Sequence, residues 1–215
     1  MLTVKNGALW LRWIVANALG ELLGLGTVIL AGAGIVLLVG EPVGLLQNIG
    51  FPAVMVLLGA FEGSILGLAQ SWVLRDRLPW LKSRSWTFAT VVGAVGAWCL
   101  GMIPSFIGYL GDPAVSMGFP AMSDRLIFLL ASLLGAVLGI VLALPQWWIL
   151  RQYVHRAGWW IPANALAWAS GMPVIFWQAG HSPANLIRQT LIAIALLAFM
   201  MAGAIVGAIH GAALL

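Results

Sequence analysis

The chain has 215 residues, of which 62% are apolar and only 7% are charged, and its mean hydropathy is +1.04. Soluble domains carry about a quarter charged residues, so this composition excludes a water-facing globular surface. The net charge of +4 does not indicate nucleic acid as a partner, because the basic residues are distributed as in a membrane protein.

Six apolar runs are long enough to cross a hydrocarbon layer of about 30 Å. In chain order they are residues 13–39, 51–74, 86–108, 126–150, 159–177 and 186–213. The segments between them are short, so we predict one all-α integral membrane domain, residues 1–215, without a soluble domain. Helices are favoured over the strands of a membrane barrel because such strands alternate apolar and polar residues.

The basic residues predict the orientation of these spans. Eight of the ten fall before the first span or in the connections after the second and fourth spans: Lys5, Arg12, Arg75, Arg77, Lys82, Arg84, Arg151 and Arg156. Arg125 and Arg188 fall on the other side, together with Glu41, Asp112 and Asp124. The positive-inside rule therefore predicts that both termini are cytoplasmic, and we expect the protein in the bacterial inner membrane.

Two phrases recur along the chain. The odd-numbered spans open with WIVANALG at 13–20, WTFATVVG at 86–93 and WIPANALA at 160–167. The even-numbered spans contain GAFEGSILGLAQSWVLR at 59–75, GAVLGIVLALPQWWILR at 135–151 and the shorter GAIVGAIHGAALL at 203–215. We therefore predict six transmembrane helices in three tandem hairpins (1–80, 81–155 and 156–215), related by pseudo-threefold symmetry about the membrane normal. Because the first span belongs to such a unit, we expect it in the mature protein despite its likeness to a signal peptide.

The phrase of the even spans resembles the repeated E-G-x-x-x-G-x-x-Q-W-x-x-L-R segments of a group of uncharacterised polytopic bacterial membrane proteins. The matching residues are Glu62, Gly63, Gly67, Gln70, Trp72, Leu74 and Arg75, with the tryptophan displaced by one position. The second copy has Leu138 in place of the glutamate, and the third copy ends before the Q-x-W-x-L-R part. The resemblance extends over most of the chain and implies a polytopic membrane protein, but it implies no activity.

Small residues recur at every fourth position of the even spans and form one stripe on each helix. The three stripes are Gly59, Gly63, Gly67; Gly135, Gly139, Ala143; and Gly203, Gly207, Gly211. In lipid, helices associate mainly through close contact along such stripes. We expect small residues of the odd spans to receive them: Gly20, Gly24, Gly93 and Ala97.

Nine of the twelve tryptophans lie near the predicted cytoplasmic ends of the spans: Trp10, Trp13, Trp72, Trp80, Trp86, Trp147, Trp148, Trp159 and Trp160. We expect them to anchor the protein in an aromatic belt at the membrane surface, with stacking on a pigment as the alternative. Trp98, Trp168 and Trp177 lie deeper or on the outer side, and the belt does not explain them.

Five polar residues are predicted at one depth. Counting 1.5 Å per residue from Trp13 places Asn17 about 6 Å deep, and counting from Arg75 places Gln70 about 7–8 Å deep. The repeats extend this inner polar layer to Asn17, Gln70, Thr90, Gln146 and Asn164. We expect hydrogen bonds between helices, and the rim of a cytoplasmic vestibule is the alternative.

Three ionisable residues lie deeper still. The same count places Glu62 about 20 Å from one end of its span, and Glu21 and His210 about 12–14 Å deep. A charge at such depth is unfavourable by at least about 2.5 kcal/mol unless it is paired, protonated or hydrated. We therefore predict a candidate intramembrane polar site of Glu21, Glu62 and His210. It functions as a proton relay, a cation site or a pigment ligand in one interpretation, and only stabilises the bundle in the other.

The sequence contains no catalytic motif of the Ser/His/Asp, H-E-x-x-H or phosphate-binding type. Its single cysteine, Cys99, excludes an internal disulfide and a cysteine-rich metal site. We expect no enzyme, with an enzyme acting on lipid as the alternative, and the sequence indicates no particular cofactor.

Two functions remain. The first is a small transport or permeation module that uses the polar site in the middle of the membrane. The second is a non-catalytic membrane subunit or scaffold that binds lipid, pigment or partner helices. The expected partners are therefore the lipid bilayer and other membrane subunits.

Overall fold

The computed structural model describes residues 2–40, 45–110, 123–180 and 188–214. In these residues the chain forms six α-helices: α1 (Leu2–Val39), α2 (Leu45–Leu74), α3 (Ser83–Leu110), α4 (Asp124–Leu150), α5 (Trp160–Gly180) and α6 (Arg188–Ala212). One turn of 3-10 helix, Ala157–Trp159, leads into α5. No strand occurs in the part of the chain that the structure describes.

Each predicted span coincides with one helix, although several helices extend beyond the apolar run. The helix α1 begins at Leu2 rather than at residue 13, because no proline interrupts the residues between them. The helix α2 begins at Leu45 rather than at residue 51 and accommodates Pro52 within it. An apolar surrounding offers no partners for backbone N–H and C=O groups, so each run is stable as a helix that pairs these groups internally.

Five of the helices are long and apolar enough to cross a membrane, over Asn6–Val39, Ile49–Leu74, Ser83–Ile103, Asp124–Leu150 and Thr190–Ala212. The helix α5 is not among them, since Asn164, three tryptophans and two prolines lower its mean hydropathy. Large apolar side chains such as Leu38, Leu57 and Phe88 are exposed on the protein surface. These helices and this surface are compatible with a polytopic membrane protein in contact with lipid.

The six helices form a closed ring. Each helix packs against its neighbours in chain order, and α6 packs against α1. At one end of the ring, Arg12 of α1 forms a salt bridge with Asp76, and residues 150–157 lie beside the end of α6. We call this the basic end, because it carries Arg12, Arg75, Arg77, Lys82, Arg84, Arg151 and Arg156. Of the residues assigned to the opposite side, Glu41 and Asp112 lie outside the described residues.

The stripes of small residues join alternate pairs of helices. Each even helix turns its stripe toward the odd helix that follows it in the ring: Gly63 lies against Thr90, Gly139 against Asn164, and Gly207 against Asn17. A methyl group added at Gly139 would lie 2.4 Å from the backbone carbonyl oxygen of Asn164. The backbones of α4 and α5 are therefore in direct contact at this point.

The glycines of the odd helices lie in a different interface. Gly20 of α1 packs against Leu66 of α2, and Gly93 of α3 packs against Leu142 of α4. The prediction that they receive the stripes is therefore wrong. Each helix in a ring has two neighbours, and Gly20, Gly24 and Gly93 lie against their own hairpin partner.

Candidate functional site

Three tryptophans from alternate helices meet inside the ring near its basic end. Trp13, Trp86 and Trp160 are each at most 1% exposed. The ring centroid of Trp160 lies 6.1 Å from that of Trp13 and 5.9 Å from that of Trp86, and both pairs are edge-to-face. Because α1, α3 and α5 are not neighbours in the ring, these side chains meet in its interior.

His210 of α6 completes this group, which we call the tryptophan layer. The indole Nε1 of Trp13 donates a hydrogen bond to Nδ1 of His210 at 3.0 Å. The imidazole also packs against Trp160, with 5.1 Å between ring centroids. His210 is therefore a buried structural partner of two indoles.

The prediction of an aromatic belt is wrong for Trp13, Trp86 and Trp160. Their rings pack against one another in the core, because each indole N–H finds a buried acceptor there. Other tryptophans are exposed and remain compatible with a belt: Trp72, Trp80, Trp148 and Trp159.

The inner polar layer lies next to the tryptophan layer, and all five of its predicted members are buried. Gln70 donates from Nε2 to Oδ1 of Asn17 at 2.9 Å, and its Oε1 accepts the Trp86 indole N–H at 3.1 Å. Nε2 of Gln146 lies 3.2 Å from the same Gln70 oxygen. Gln70 thus connects α1, α3 and α4 to α2.

Gln146 makes the equivalent contacts one hairpin later. Its Nε2 donates to Oγ1 of Thr90 at 3.0 Å, and its Oε1 accepts the Trp160 indole N–H at 3.0 Å. Asn164 donates from Nδ2 to the backbone carbonyl of Trp160 at 2.8 Å. Asn17, Gln70, Thr90 and Gln146 therefore form a hydrogen-bonded network across the inside of the ring, and Asn164 bonds to the backbone of its own helix.

Glu62 lies on α2, farther from the basic end than this network, and is 8% exposed. Its Oε2 accepts a hydrogen bond from Nε1 of Trp98 at 2.7 Å. The side chain packs against α1 at Gly24, where an added methyl group would lie 2.9 Å from Cγ of Glu62. The side chain of Glu62 is therefore held in place by one hydrogen bond to α3 and by close packing on α1.

Glu21 lies on α1 at the interface with α6 and is 1% exposed. Among the described residues, neither of its carboxyl oxygens has a hydrogen-bond partner. Gly203 of α6 covers it so closely that an added methyl group there would lie 2.8 Å from Cγ of Glu21. Glu21 is thus enclosed by protein with its polar group unsatisfied.

The structure brings together two of the three residues predicted to form the intramembrane polar site. Glu62 packs beside Gly24, which lies three residues, less than one helical turn, from Glu21 on α1. His210 lies about 10 Å farther along α6 than Gly203, which covers Glu21. The candidate site is therefore a pair of glutamates, and His210 belongs to the tryptophan layer.

A cavity of about 260 Å³ lies inside the ring, and we call it the lumen. Side chains from α1 to α5 line it, including Leu66, Trp98, Leu138, Trp168, Met172 and Phe176. Glu62 is the only ionisable side chain in the lining that the structure describes. The polar and tryptophan layers separate the lumen from the basic end.

The sequence did not predict the lumen, because a void between helices depends on how the ring closes. The sequence feature that could have indicated it is the depth of Trp98 and Trp168, which the aromatic belt does not explain.

Chemically, an apolar and aromatic cavity with one carboxyl group suits a small organic molecule with a positive or hydrogen-bond-donating group. Within the described ranges, no group of three His, Cys, Asp or Glu side chains could hold a metal ion.

No protein-family model, no curated protein and no solved structure matches this chain. The resemblance to repeated bacterial membrane proteins therefore stays a prediction, and the site is interpreted from its own geometry.

Proposed function

We propose that this protein is a small membrane transport module whose lumen binds a small lipophilic organic cation. The observation that carries this proposal is the position of Glu62 as the one carboxyl group in the described lining of an otherwise apolar cavity. We place the protein in the bacterial inner membrane with its basic end in the cytoplasm, following the positive-inside rule.

The carboxyl group of Glu62 supports a cationic ligand. Neither Glu62 nor Glu21 forms an ion pair with a described Lys or Arg side chain, and Trp98 supplies a single neutral donor. An uncompensated carboxylate at the centre of a membrane is unfavourable by about 2.5–3.5 kcal/mol. A ligand cation in the lumen would supply the missing positive charge.

The aromatic lining supports an organic cation over a metal ion. Trp98, Trp168 and Phe176 all line the lumen. Aromatic faces attract ammonium groups through the ring quadrupole, by about 2 kcal/mol or more when the site is shielded from water. A hydrated metal ion would find few oxygen ligands among these side chains.

The architecture that we propose is three hairpin repeats around a pseudo-threefold axis, which runs through the lumen. Equivalent contacts support it: Gly63, Gly139 and Gly207 each lie against the equivalent residue of the next odd helix. The tryptophan–glutamine hydrogen bond also recurs, and in the third copy His210, one helical turn before the position of the glutamine, accepts the indole N–H. Transporter sites commonly lie at such repeat interfaces near the middle of the membrane.

A membrane scaffold is the second candidate function. An apolar groove of about 620 Å³ between α1, α2 and α6 favours it, with Gly32, Met55 and Phe199 in its lining. A lipid tail or a partner helix fits such a surface, and this function does not use Glu62.

Filling the lumen is expected to weaken binding of benzyltrimethylammonium, a small aromatic cation, by about tenfold or more, equivalent to about 1.4 kcal/mol. The substitution is Gly101→Phe, because Gly101 lines the lumen and a methyl group added there would meet no atom within 4 Å. Isothermal titration calorimetry of the purified protein in detergent measures the affinity.

The matched control is Gly34→Phe. Gly34 has the same free space around it, but it lines the groove on α1 rather than the lumen. We expect the control to bind the cation like the wild type. Equal affinities for all three proteins would show that the cation does not bind in the lumen.

A further inference from the structure

A further cavity, of about 300 Å³, lies at the basic end of the ring, and we call it the basic cavity. Its walls come from the end of α2 and the turn after it, from residues 150–157, from Trp160 of α5 and from the end of α6. Because α2 is not a neighbour of α4, α5 or α6 in the ring, the cavity lies over the interior of the ring. Trp160 belongs to the tryptophan layer, so this layer lies between the basic cavity and the lumen.

The lining of the basic cavity is positively charged. Arg77 and Arg156 belong to it, and we call them the cavity arginines. His155 and Tyr153 line the same cavity and add further hydrogen-bonding groups. No Asp or Glu side chain that the structure describes is part of this lining. The charge of the cavity arginines is therefore not balanced within the cavity.

Other arginines of the basic end have partners elsewhere. Arg12 pairs with the carboxylate of Asp76, and the guanidinium of Arg151 lies over the ring of Trp148, 3.5 Å from its centroid. Within the described ranges, the cavity arginines form neither an ion pair nor a contact with an aromatic ring. Their guanidinium groups are therefore available to a ligand.

The cavity arginines are also not needed as helix caps, although basic side chains near a helix end often bind its last carbonyl groups. The carbonyl oxygen of Leu74, at the end of α2, accepts the backbone N–H groups of Arg77 and Leu78 at 3.0 and 2.7 Å. The carbonyl oxygen of Leu150, at the end of α4, accepts two backbone N–H groups of the following turn, both at 2.9 Å. The turns themselves thus satisfy these carbonyl groups.

The chemistry of the lining indicates the class of ligand. A guanidinium group offers a planar pair of N–H donors that matches two oxygens of a phosphate, and a phosphate monoester has enough free oxygens to bind two such groups. Apolar side chains form much of the remaining wall: Leu74, Leu78, Leu150 and Val154. The volume is at the lower end of the range for small-molecule sites, about 300–1,000 Å³. These features suit a phosphate group attached to a small apolar group.

We propose that the basic cavity binds the phosphate group of a phosphate monoester between the cavity arginines, with the apolar part of the ester against the leucines. The cavity shares no lining residue with the lumen, so this proposal does not rest on the transport function. A soluble phosphate ester and the headgroup of phosphatidic acid both carry this group, and the experiment separates the two sources.

The soluble source is tested with phenyl phosphate, by isothermal titration calorimetry of the purified protein in detergent. Arg77→Gln and Arg156→Gln are each expected to weaken binding by about tenfold, because each removes one charged hydrogen-bonding partner of the phosphate. Both arginines are exposed, so the substitutions are not expected to affect folding. The matched control is Arg84→Gln, which removes an exposed arginine of the basic end outside the cavity lining and is expected to change the affinity less than twofold.

The lipid source is tested by native mass spectrometry of the same four proteins with phosphatidic acid added in detergent. Bound phosphatidic acid that is lost in the variants of the cavity arginines and kept in Arg84→Gln assigns the cavity to the lipid headgroup. Dependence on the cavity arginines for phenyl phosphate alone assigns it to a soluble ester. The proposal is overturned if neither compound binds, or if Arg84→Gln weakens binding as much as the substitutions in the cavity, which would indicate general attraction to a basic surface.

Discussion

Glu62→Gln is expected to weaken the binding of benzyltrimethylammonium by about 30-fold or more. The glutamine keeps the size of the side chain and an oxygen that accepts the Trp98 hydrogen bond, but it removes the negative charge. Loss of one partner from a buried charge pair costs about 2 kcal/mol or more, which corresponds to this factor. Isothermal titration calorimetry at a pH where Glu62 is ionised measures the change.

Two controls separate the charge from the shape of the lumen. Neopentylbenzene is the neutral carbon analogue of the probe, and Glu62→Gln is expected to bind it as the wild type does. Asp76→Asn removes a carboxylate at the basic end and is expected to leave the affinity for the cation unchanged. If Glu62→Gln loses affinity for both ligands equally, or for neither, the lumen does not select its ligand by charge.

Gly139→Ala is expected to destabilise the protein by about 1–3 kcal/mol, the range for overpacked positions. The added methyl group would lie 2.4 Å from the carbonyl oxygen and 2.8 Å from the carbonyl carbon of Asn164. These are backbone atoms and cannot rotate away, so α4 and α5 must separate. The midpoint of thermal unfolding in detergent measures the effect.

Gly34→Ala is the matched control for this substitution. A methyl group at Gly34 meets no atom within 4 Å, and alanine favours a helix over glycine by about 1 kcal/mol. We therefore expect the control to unfold at the same temperature as the wild type or higher. Two variants of equal stability would contradict direct backbone contact between α4 and α5.

Much of the fold follows from the sequence. Long apolar runs predicted the six helices because an apolar surrounding leaves the backbone no other way to satisfy its hydrogen bonds. Counting residues from Trp13 and Arg75 also placed Asn17 and Gln70 at one depth, and the structure joins them by a hydrogen bond. Depth along a helix is fixed by the rise per residue, so sequence reasoning handles it well.

The direction in which a side chain points around its helix is harder to predict. Trp13 and Trp72 both lie near the basic end, yet one is buried and the other is exposed. The difference depends on which helix lies opposite, and the repeated phrases do not contain that information. The depth count itself failed at His210: it placed His210 level with Glu21, although the imidazole lies against the indoles of Trp13 and Trp160. Alignment of the repeats does not determine how far α6 is shifted along its neighbours.

The most direct test of the central claim is a structure of the protein with benzyltrimethylammonium bound, determined by cryo-electron microscopy or crystallography. We predict density for the cation inside a closed ring of six helices, between the carboxyl group of Glu62 and the aromatic faces of Trp98 and Trp168. Density for the cation only outside the ring, or helices that leave no lumen at Glu62, would contradict it.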